Sequence, residues 1–290
     1  MLIFINGNLV PASEARVSVF DRGFLYGDGV FETLRSYNGV IFRCDDHLAR
    51  LGESAEALSI KLPFTNDYFK ESLYKTLREN HLSNAYLRLT VTRGETIPGL
   101  DIDQITEPTV VIIPREFNSY PDSLYLKGIQ AAIVNTRRMP ASALNPAIKS
   151  LNFLNNIMAK AEAKVLGASE GIMLSTDGYV AEGTVSNIFI VENGIIKTPP
   201  LSTGILNGVT RSVVINLARE NQLPLNEEPF YPDGLYNADE CFITNTSYEI
   251  MPVTTLNGRP VGDGKPGGIT KRLINLFHSY CIIHIQTSRF

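Results

Sequence analysis

Tight-turn dipeptides recur along the 290-residue chain where short extended segments end. An Asn-Gly or Asp-Gly pair favours the left-handed backbone of a β-hairpin turn, so it makes the chain reverse between two strands. Four of these pairs follow predicted strands: Asn6-Gly7, Asn38-Gly39, Asp177-Gly178 and Asn193-Gly194. Because they occur in both halves of the chain, the sequence predicts strands in both halves.

Helical patterns lie between these strands. The spacing of Leu48, Leu51, Ala55 and Leu58 predicts a helix that starts at Asp45, whose carboxylate is a favourable N-cap. Further helices are predicted at residues 67–80, 154–166, 210–221 and 268–280. Strands are predicted at residues 2–5, 30–37, 40–43, 85–93, 109–114, 129–136, 171–175, 186–191, 195–198 and 240–244. The mixture predicts an α/β chain of α+β type.

The polar segment 115–126, which contains Asn118, Pro121 and Asp122, has the composition of a linker. It predicts a division into an N-terminal α+β domain at 1–118, a connection at 119–126 and a C-terminal domain at 127–290. We interpret the glycine-rich segment 23–29 as a structural turn, because it lacks the spacing of a nucleotide-binding loop.

Composition narrows the function. The net charge is -4, the pI is about 5.7 and no basic run occurs, so nucleic acid is not an expected partner. No apolar stretch approaches the roughly 18 residues of a membrane helix, so no membrane partner is expected. The cysteines, which form no paired motif, predict no zinc site, no other metal site and no disulfide, as suits the cytoplasm. They are Cys44, Cys241 and Cys281.

Two residues have settings that suggest cofactor chemistry. Lys149 ends an extended stretch just ahead of a helix, and Glu182 precedes a strand. An amine can hold an aldehyde as a Schiff base and a carboxylate can hold a ring N–H, which are the two needs of pyridoxal phosphate. Burial beside Ile148 and Leu151 would favour the free amine. The plain alternatives are a solvated lysine and a glutamate that hydrogen-bonds its own turn.

A phosphate site is predicted where Gly208 leads into a helix. The unpaired amides of a helix N-terminus, here those of Val209 and Thr210, suit an anion. Thr246 would add a hydroxyl, and Arg50 would add a charge-assisted bond. An ordinary helix cap and a solvated arginine remain the alternatives for Thr210 and Arg50.

Together these segments resemble the class IV aminotransferase family, the fold type IV pyridoxal-phosphate enzymes. The resemblance covers nearly the whole chain except residues 281–290. The matching segments are Phe4-Ile5-Asn6-Gly7, Asp21-Arg22-Gly23, Tyr26-Gly27-Asp28-Gly29-Val30-Phe31-Glu32, His47-Leu48-Ala49-Arg50-Leu51, Lys149-Ser150-Leu151-Asn152, Glu182-Gly183, Gly208-Val209-Thr210-Arg211, Pro252-Val253 and Gly264-Lys265-Pro266-Gly267. The resemblance implies a smaller N-terminal domain, a larger C-terminal domain, the cofactor between them, and a homodimer.

The resemblance also implies roles for the residues. Lys149 would carry pyridoxal 5'-phosphate as a Schiff base and later move the proton, and Glu182 would pair with the ring nitrogen. The phosphate would be held by Arg50, the amides of Val209 and Thr210, and Thr246. The substrates would be an amino acid and a 2-oxo acid.

The member of the family is decided by the substrate pocket, for which we single out Phe31, Arg35, Arg88 and Ser247. A bidentate guanidinium matches a carboxylate, so Arg35 and Arg88 are candidates for binding the substrate; strand-surface ion pairing is the alternative. The segment Tyr86-Leu87-Arg88 resembles branched-chain aminotransferases, whose Phe-Glu-Gly-Ile-Arg and Thr-Gly-Thr-Ala-Ala-Glu motifs are altered here.

D-amino acid aminotransferases resemble the chain at Lys149-Ser150-Leu151-Asn152. Loop 95–99, however, lacks their carboxylate-binding arginine and histidine, and Phe31 stands in place of their tyrosine. The third group, the 4-amino-4-deoxychorismate lyases, shares Thr33 and Asn245. We therefore expect a transaminase acting on branched-chain-like or D-amino acids, with the lyase as the alternative. A cofactor-binding protein without catalysis is the third hypothesis.

Overall fold

The computed structural model describes residues 1–96, 99–102 and 107–287. The chain divides into two compact units. The first consists of Met1–Asn118, Ile148–Asn152 and the residues from Ile283 onward; the second consists of Ser119–Ala147 and Phe153–Ile282. The contiguous division predicted from the sequence assigned the segments that begin at Ile148 and Ile283 to the other domain.

The first unit contains a sheet, three complete helices and the end of the C-terminal helix among its described residues. Its strands are β1 Leu2–Ile5, β2 Asn8–Pro11, β3 Gly29–Tyr37, β4 Val40–Ile41, β5 Ala85–Thr92 and β6 Val110–Glu116, and its helices are α1 Arg22–Tyr26, α2 Cys44–Ala57 and α3 Asn66–Glu79. The strand order is β2-β1-β6-β5-β3-β4. Every pairing in it is antiparallel.

Helices α2 and α3 pack on one face of this sheet. Leu48 and Leu51 of α2 lie in one buried cluster with Leu34 of β3 and Leu73 of α3. Because successive strand residues point to opposite faces, Phe31 is directed away from this cluster. The face opposite the two helices therefore carries Phe31 and Arg35, whereas Glu32 lies on the helix side and contacts Arg50 of α2.

The second unit contains a larger sheet. Its strands are β7 Ile129–Ile133, β8 Glu170–Leu174, β9 Val180–Gly183, β10 Asn187–Glu192, β11 Ile195–Thr198, β12 Leu225–Glu227, β13 Glu240–Asn245, β14 Glu249–Leu256 and β15 Arg259–Pro260. The order is β12-β11-β10-β13-β14-β7-β8-β9, and β15 pairs with β14. Strands β11 and β12, β7 and β8, and β7 and β14 are parallel, whereas the other pairs are antiparallel.

The helices that follow Asn118 range in length from 5 to 20 residues. They are α4 Asp122–Lys127, α5 Leu154–Val165, α6 Val209–Glu220, α7 Pro232–Tyr236 and α8 Gly268–Thr287. Helix α4 occupies most of the segment predicted to be a linker. Among residues 1–96, 99–102 and 107–287, no helix combines the length and the apolar character needed to cross a bilayer.

Several sequence predictions were wrong in detail. Helix α2 begins at Cys44, so Asp45 lies in its first turn, and its N-cap is Arg43 in a left-handed conformation with no capping side chain. The glycine-rich segment predicted to be a turn contains helix α1, which Asp21 caps by accepting a bond from the amide of Gly23. Strand β14 was not predicted at all.

Candidate active site

The backbone around Lys149 is held along strand β3. The amide of Phe31 donates to the carbonyl of Lys149 at 3.0 Å, and the amide of Leu151 donates to the carbonyl of Gly29 at 2.9 Å. The amide of Lys149 itself donates to Oγ of Ser54 at 3.1 Å. Lys149 is therefore fixed by strand-like pairing on one side and by helix α2 on the other.

The amine of Lys149 lies on an aromatic ring. Its Nζ is 4.4 Å from the centroid of the Phe31 ring, and the guanidinium carbon of Arg88 is 3.9 Å from the same centroid. A cation over the face of a ring is stabilised by the quadrupole of the ring. Phe31 thus brings together the predicted catalytic lysine and one predicted substrate arginine, and burial lowers the pKa of Arg88 from its ordinary value.

Arg35, the other predicted substrate arginine, shares the strand face of Phe31. Its guanidinium carbon lies 4.0 Å from the Phe117 ring centroid and 4.4 Å from that of Tyr37. The side chain is buried, so aromatic contacts rather than solvent hold it. Part of loop 95–99, which we compared with D-amino acid aminotransferases, lies outside the described residues.

Arg50, the predicted phosphate residue, forms a paired contact with Glu32. Its Nε donates to Oε1 at 2.7 Å and its Nη2 donates to Oε2 at 2.7 Å. Nδ1 of His47 lies 2.7 Å from the same Oε2. Burial alone would raise the pKa of Glu32, but the charges of Arg50 and His47 outweigh it and bring the pKa to about 2.

Glu182 lies in strand β9 rather than in a turn, and it is buried. Its Oε2 accepts bonds from the amide of Leu206 at 3.0 Å and from Nδ2 of Asn187 at 3.2 Å. Nε of Arg138 lies 2.8 Å from Oε1, although the N–H is poorly aligned for a hydrogen bond. The carboxylate is therefore held within the second unit by a charge and by two donors.

A second buried carboxylate fixes the segment after Glu182. Glu170 is completely buried and accepts bonds from the amide of Thr184 at 3.1 Å and from Oγ of Ser186 at 3.1 Å. Gly183 has no room for a side chain, since a Cβ there would lie 2.1 Å from Oγ of Ser186. A buried carboxylate needs hydrogen-bond donors, so these bonds to Glu170 fix the conformation of the segment that contains Thr184 and Ser186.

Helix α6 begins at Val209, one residue before the predicted start, and its N-cap Gly208 makes no side-chain capping bond. Gly208 is the N-cap in an extended conformation, and the first turn, which includes Val209 and Thr210, carries no acidic residue. Such an end has donors and a partial positive charge for an anion. A Cβ on Gly208 would lie 2.1 Å from Oδ1 of Asn187, so the helix start packs directly on the residue that binds Glu182.

Thr246 and Ser247 lie in the turn between β13 and β14, and both are partly buried. Oδ1 of Asn245 accepts a bond from the amide of Ser247 at 2.9 Å, and its Nδ2 donates to the carbonyl of Val185 at 3.2 Å. Asn245 therefore ties this turn to the segment that follows Glu182. Both predicted residues thus belong to the second unit, as Glu182 and Thr210 do.

Sequence reasoning missed the residues that hold the predicted ones in place. They are Glu32, His47, Arg138, Glu170 and Asn187. Glu32 carries the clearest signal, because a charged side chain stands within the apolar strand Val30–Leu34. No group of His, Cys, Asp or Glu side chains within the described ranges is arranged to hold a metal ion.

Buried charged side chains such as Glu32, Arg50 and Glu182 are enriched at the functional sites of enzymes. The model of the family described as amino-transferase class IV matches residues 29–256. A protein of Methanocaldococcus jannaschii named "Putative branched-chain-amino-acid aminotransferase" is 47% identical over 277 residues, which cover 96% of this chain and 95% of the relative. The chain belongs to the class IV amino-transferase family.

Two further comparisons agree with this membership. The D-alanine aminotransferase of Bacillus licheniformis is 38% identical and covers 94% of each chain. The branched-chain amino acid aminotransferase of Thermobaculum terrenum, solved in its PLP-form, superposes with a TM-score of 0.86 at 28% identity, covering 97% of this chain and 93% of that one. These relatives are named for two different substrate classes, branched-chain amino acids and D-alanine.

Proposed function

We propose that this protein is a pyridoxal-phosphate-dependent aminotransferase that moves an amino group from an amino acid to a 2-oxo acid. The observation that carries the proposal is the family match, because it spans both Lys149 and Glu182. The relative solved in its PLP-form supports the choice of cofactor, pyridoxal phosphate. The donors available here also fit it, since an amine, a buried carboxylate and an uncapped helix start suit an aldehyde, a ring nitrogen and a phosphate.

Lys149 is proposed as the group that holds the cofactor and moves the proton. When bound, pyridoxal phosphate withdraws electrons from the substrate α-carbon and so weakens its C–H bond. Lys149 would bond to the aldehyde carbon through its amine, and after its release by the substrate the same amine would take the α-proton. Its fixed backbone and the ring of Phe31 limit where that amine can reach.

Glu182 is proposed to accept a hydrogen bond from the protonated ring nitrogen. Arg138 and the amide of Leu206 hold the carboxylate in one orientation, so it would not have to reorganise when the ring binds. The phosphate would be held by Arg50, the amides of Val209 and Thr210, and the hydroxyl of Thr246.

The substrate is proposed to be a branched-chain-like amino acid, with its carboxylate bound by Arg88 or Arg35 and its side chain against Phe31. The relative from Methanocaldococcus jannaschii supports this choice. A D-amino acid is the second candidate, supported by the 38% identity to the D-alanine aminotransferase. Ser247 would face the substrate from the turn that Asn245 stabilises.

The lyase alternative is not favoured, because the relatives reported above are named aminotransferases. Thr33 and Asn245 are the residues that this chain shares with the lyases. The two reactions differ in their products: a transaminase leaves the amino group on the cofactor after the first half-reaction, whereas the lyase would release pyruvate and p-aminobenzoate.

The deciding experiment is an absorbance titration of the purified holoenzyme with single L- and D-amino acids, without a 2-oxo acid. We expect the band of the lysine-bound aldehyde form to fall and that of the amine form to rise with L-leucine, L-isoleucine or L-valine. A response to D-alanine alone would replace the branched-chain assignment. No response to any amino acid, with p-aminobenzoate formed from aminodeoxychorismate, would overturn the transaminase proposal.

The matched control is Lys149→Ala. It should bind pyridoxal phosphate without forming the lysine-bound band, and turnover should fall by at least about a thousandfold, since covalent and proton-transfer roles are lost together. A Lys149→Ala protein that kept full turnover would remove Lys149 from the mechanism.

The active form is proposed to be a cytoplasmic homodimer. Its three cysteines are buried, and Cys44 and Cys241 are free thiols, which agrees with a reducing compartment. Residues 17–26, hereafter the apolar segment, expose a run of large apolar side chains, including Val19, Phe20 and Phe24. Patches of this kind mark interfaces in soluble proteins, and we assign this one to a second copy of the chain.

A further inference from the structure

We infer that Glu32 is a positioning residue: acting through Arg50, it sets how strongly the protein prefers the phosphorylated cofactor over the same aldehyde without its phosphate. The inference rests on the proposed function, in which Arg50 binds the phosphate. It concerns a residue that does not itself touch the cofactor.

The geometry of the pair fixes the plane of the guanidinium. Two parallel bonds of 2.7 Å join Nε and Nη2 of Arg50 to the two carboxylate oxygens of Glu32. A planar fork held at two points cannot rotate without losing one of its bonds. The other N–H donors of Arg50, on the opposite edge of the guanidinium, therefore point in one fixed direction.

The carboxylate is itself prevented from turning. Glu32 is completely buried in β3, and Nδ1 of His47 lies 2.7 Å from its Oε2. His47 and Arg50 are three residues apart in α2, so they project from the same face of the helix onto the strand. A buried carboxylate with these donors has no second arrangement of similar energy.

The charges show what this cluster contributes. The negative charge of Glu32 offsets the positive charge of Arg50, and burial lowers the pKa of His47 despite the nearby carboxylate. The cluster therefore adds little net positive charge. Its contribution to phosphate binding is that it holds the guanidinium of Arg50 in one orientation. The two possible contributions predict opposite results: removing the charge of Glu32 would tighten phosphate binding if net charge governed it, and would weaken binding if orientation does.

The test is the isosteric variant Glu32→Gln. The affinities of the apoenzyme for pyridoxal phosphate and for pyridoxal are measured separately by absorbance titration. The Gln amide would place N–H donors against Arg50, so one of the paired bonds is lost. We expect the affinity for pyridoxal phosphate to fall at least about tenfold, as for loss of a charge-assisted bond, and that for pyridoxal to change little. The preference for the phosphorylated compound should fall accordingly.

Asp21→Asn is the matched control. Asp21 is another completely buried carboxylate of the first unit, where it accepts bonds from Gly23 and Thr92, and it has no contact with Arg50. It should leave the preference unchanged. Equal losses for both compounds in Glu32→Gln, an unchanged or increased preference, or the same fall in Asp21→Asn would each overturn the inference.

A milder variant keeps the test decisive if Glu32→Gln does not fold. His47→Ala removes one donor but leaves the Glu32–Arg50 pair, so the preference should fall in the same direction by a smaller factor; an unchanged preference there would overturn the inference. A wild-type protein that binds neither aldehyde would overturn the proposed function itself, which is a different result from either outcome above.

Discussion

Burial and neighbouring charges act in opposite directions on the pKa of Glu32 and on that of His47. Burial lowers the pKa of His47 from its ordinary value of 6.5. Burial would raise the pKa of Glu32, but its cationic neighbours bring that pKa from 4.5 to about 2. In both cases the unfolded chain binds protons more readily than the folded chain. The free energy of unfolding must therefore fall as the pH falls.

The first prediction places that loss in a pH window. The contribution of Glu32 is fully present above pH 4.5 and disappears as the pH falls towards about 2, while that of His47 begins to be lost near pH 6.5. Between pH 4.5 and 2 the Glu32 contribution amounts to about 3 kcal/mol. Urea denaturation at a series of pH values should give a shallower acid slope for Glu32→Gln than for the wild type. Parallel slopes would contradict the assignment.

At the scale of single residues, the sequence pattern was enough to predict those with recognisable chemistry but not the residues that contact them. Arg50 and Glu182 stood out because a phosphate and a ring nitrogen need a cation and a carboxylate. Arg138 did not, because it lies more than forty positions from Glu182, and only the fold places its guanidinium 2.8 Å from that carboxylate. Glu32 and Arg50 likewise meet only because α2 packs on β3.

At the scale of elements, the start of α6 and the strand β10 depend on each other. Asn187 of β10 donates to Glu182 at 3.2 Å and to the carbonyl of Leu206 at 2.9 Å, and Gly208 leaves just enough room for it. The helix end proposed for the phosphate and the carboxylate proposed for the ring nitrogen are therefore positioned by one amide side chain.

The second prediction concerns Gly208→Ala. The added Cβ would lie 2.1 Å from Oδ1 of Asn187, so Asn187 must move and weaken its bonds. We expect a loss of stability of about 1–3 kcal/mol, typical of overpacking, together with weaker binding of pyridoxal phosphate. Thermal denaturation and absorbance titration would measure the two effects. Unchanged binding would show that the helix start and Asn187 are independent.

Gly52→Ala is the matched control for that variant. Gly52 lies within α2, and a Cβ there would meet nothing within 4 Å. The substitution should stabilise the protein by about 0.5–1 kcal/mol, because alanine restricts the unfolded chain and favours the helix. Its cofactor affinity should equal that of the wild type.

The elements that sequence patterns missed have identifiable reasons. Strand β14 contains Pro252, which cannot donate to a ladder and so argues against a central strand, yet Pro252 lies opposite Phe242 in the sheet. Asp45 looked like an N-cap because its side chain is suitable, but the N-cap of α2 is Arg43, two residues earlier, in a left-handed conformation. Strand β14 was decided by its pairing with β13 and β7, which local propensity does not contain.

For the whole molecule, the apolar segment is the feature that a single copy leaves unexplained. Phe24 is 72% exposed and Val19 is 63% exposed, and both lie within ten residues of other exposed apolar side chains. Leu126 of α4 is equally exposed at 72% but belongs to the second unit and lies outside this run. A charge placed at Leu126 therefore serves as the control: it tests one exposed apolar residue, whereas charges in the apolar segment test the whole patch.

The last prediction is that the apolar segment holds the proposed dimer together. Placing charges there by the double variant Val19→Asp, Phe24→Asp would force unpaired carboxylates into the interface, which costs several kcal/mol and should leave monomers in sedimentation equilibrium. Leu126→Asp should remain a dimer. A wild-type monomer would overturn the dimer proposal, and a double variant that still dimerises would move the interface elsewhere, because charged groups cannot stay buried without partners at such a contact.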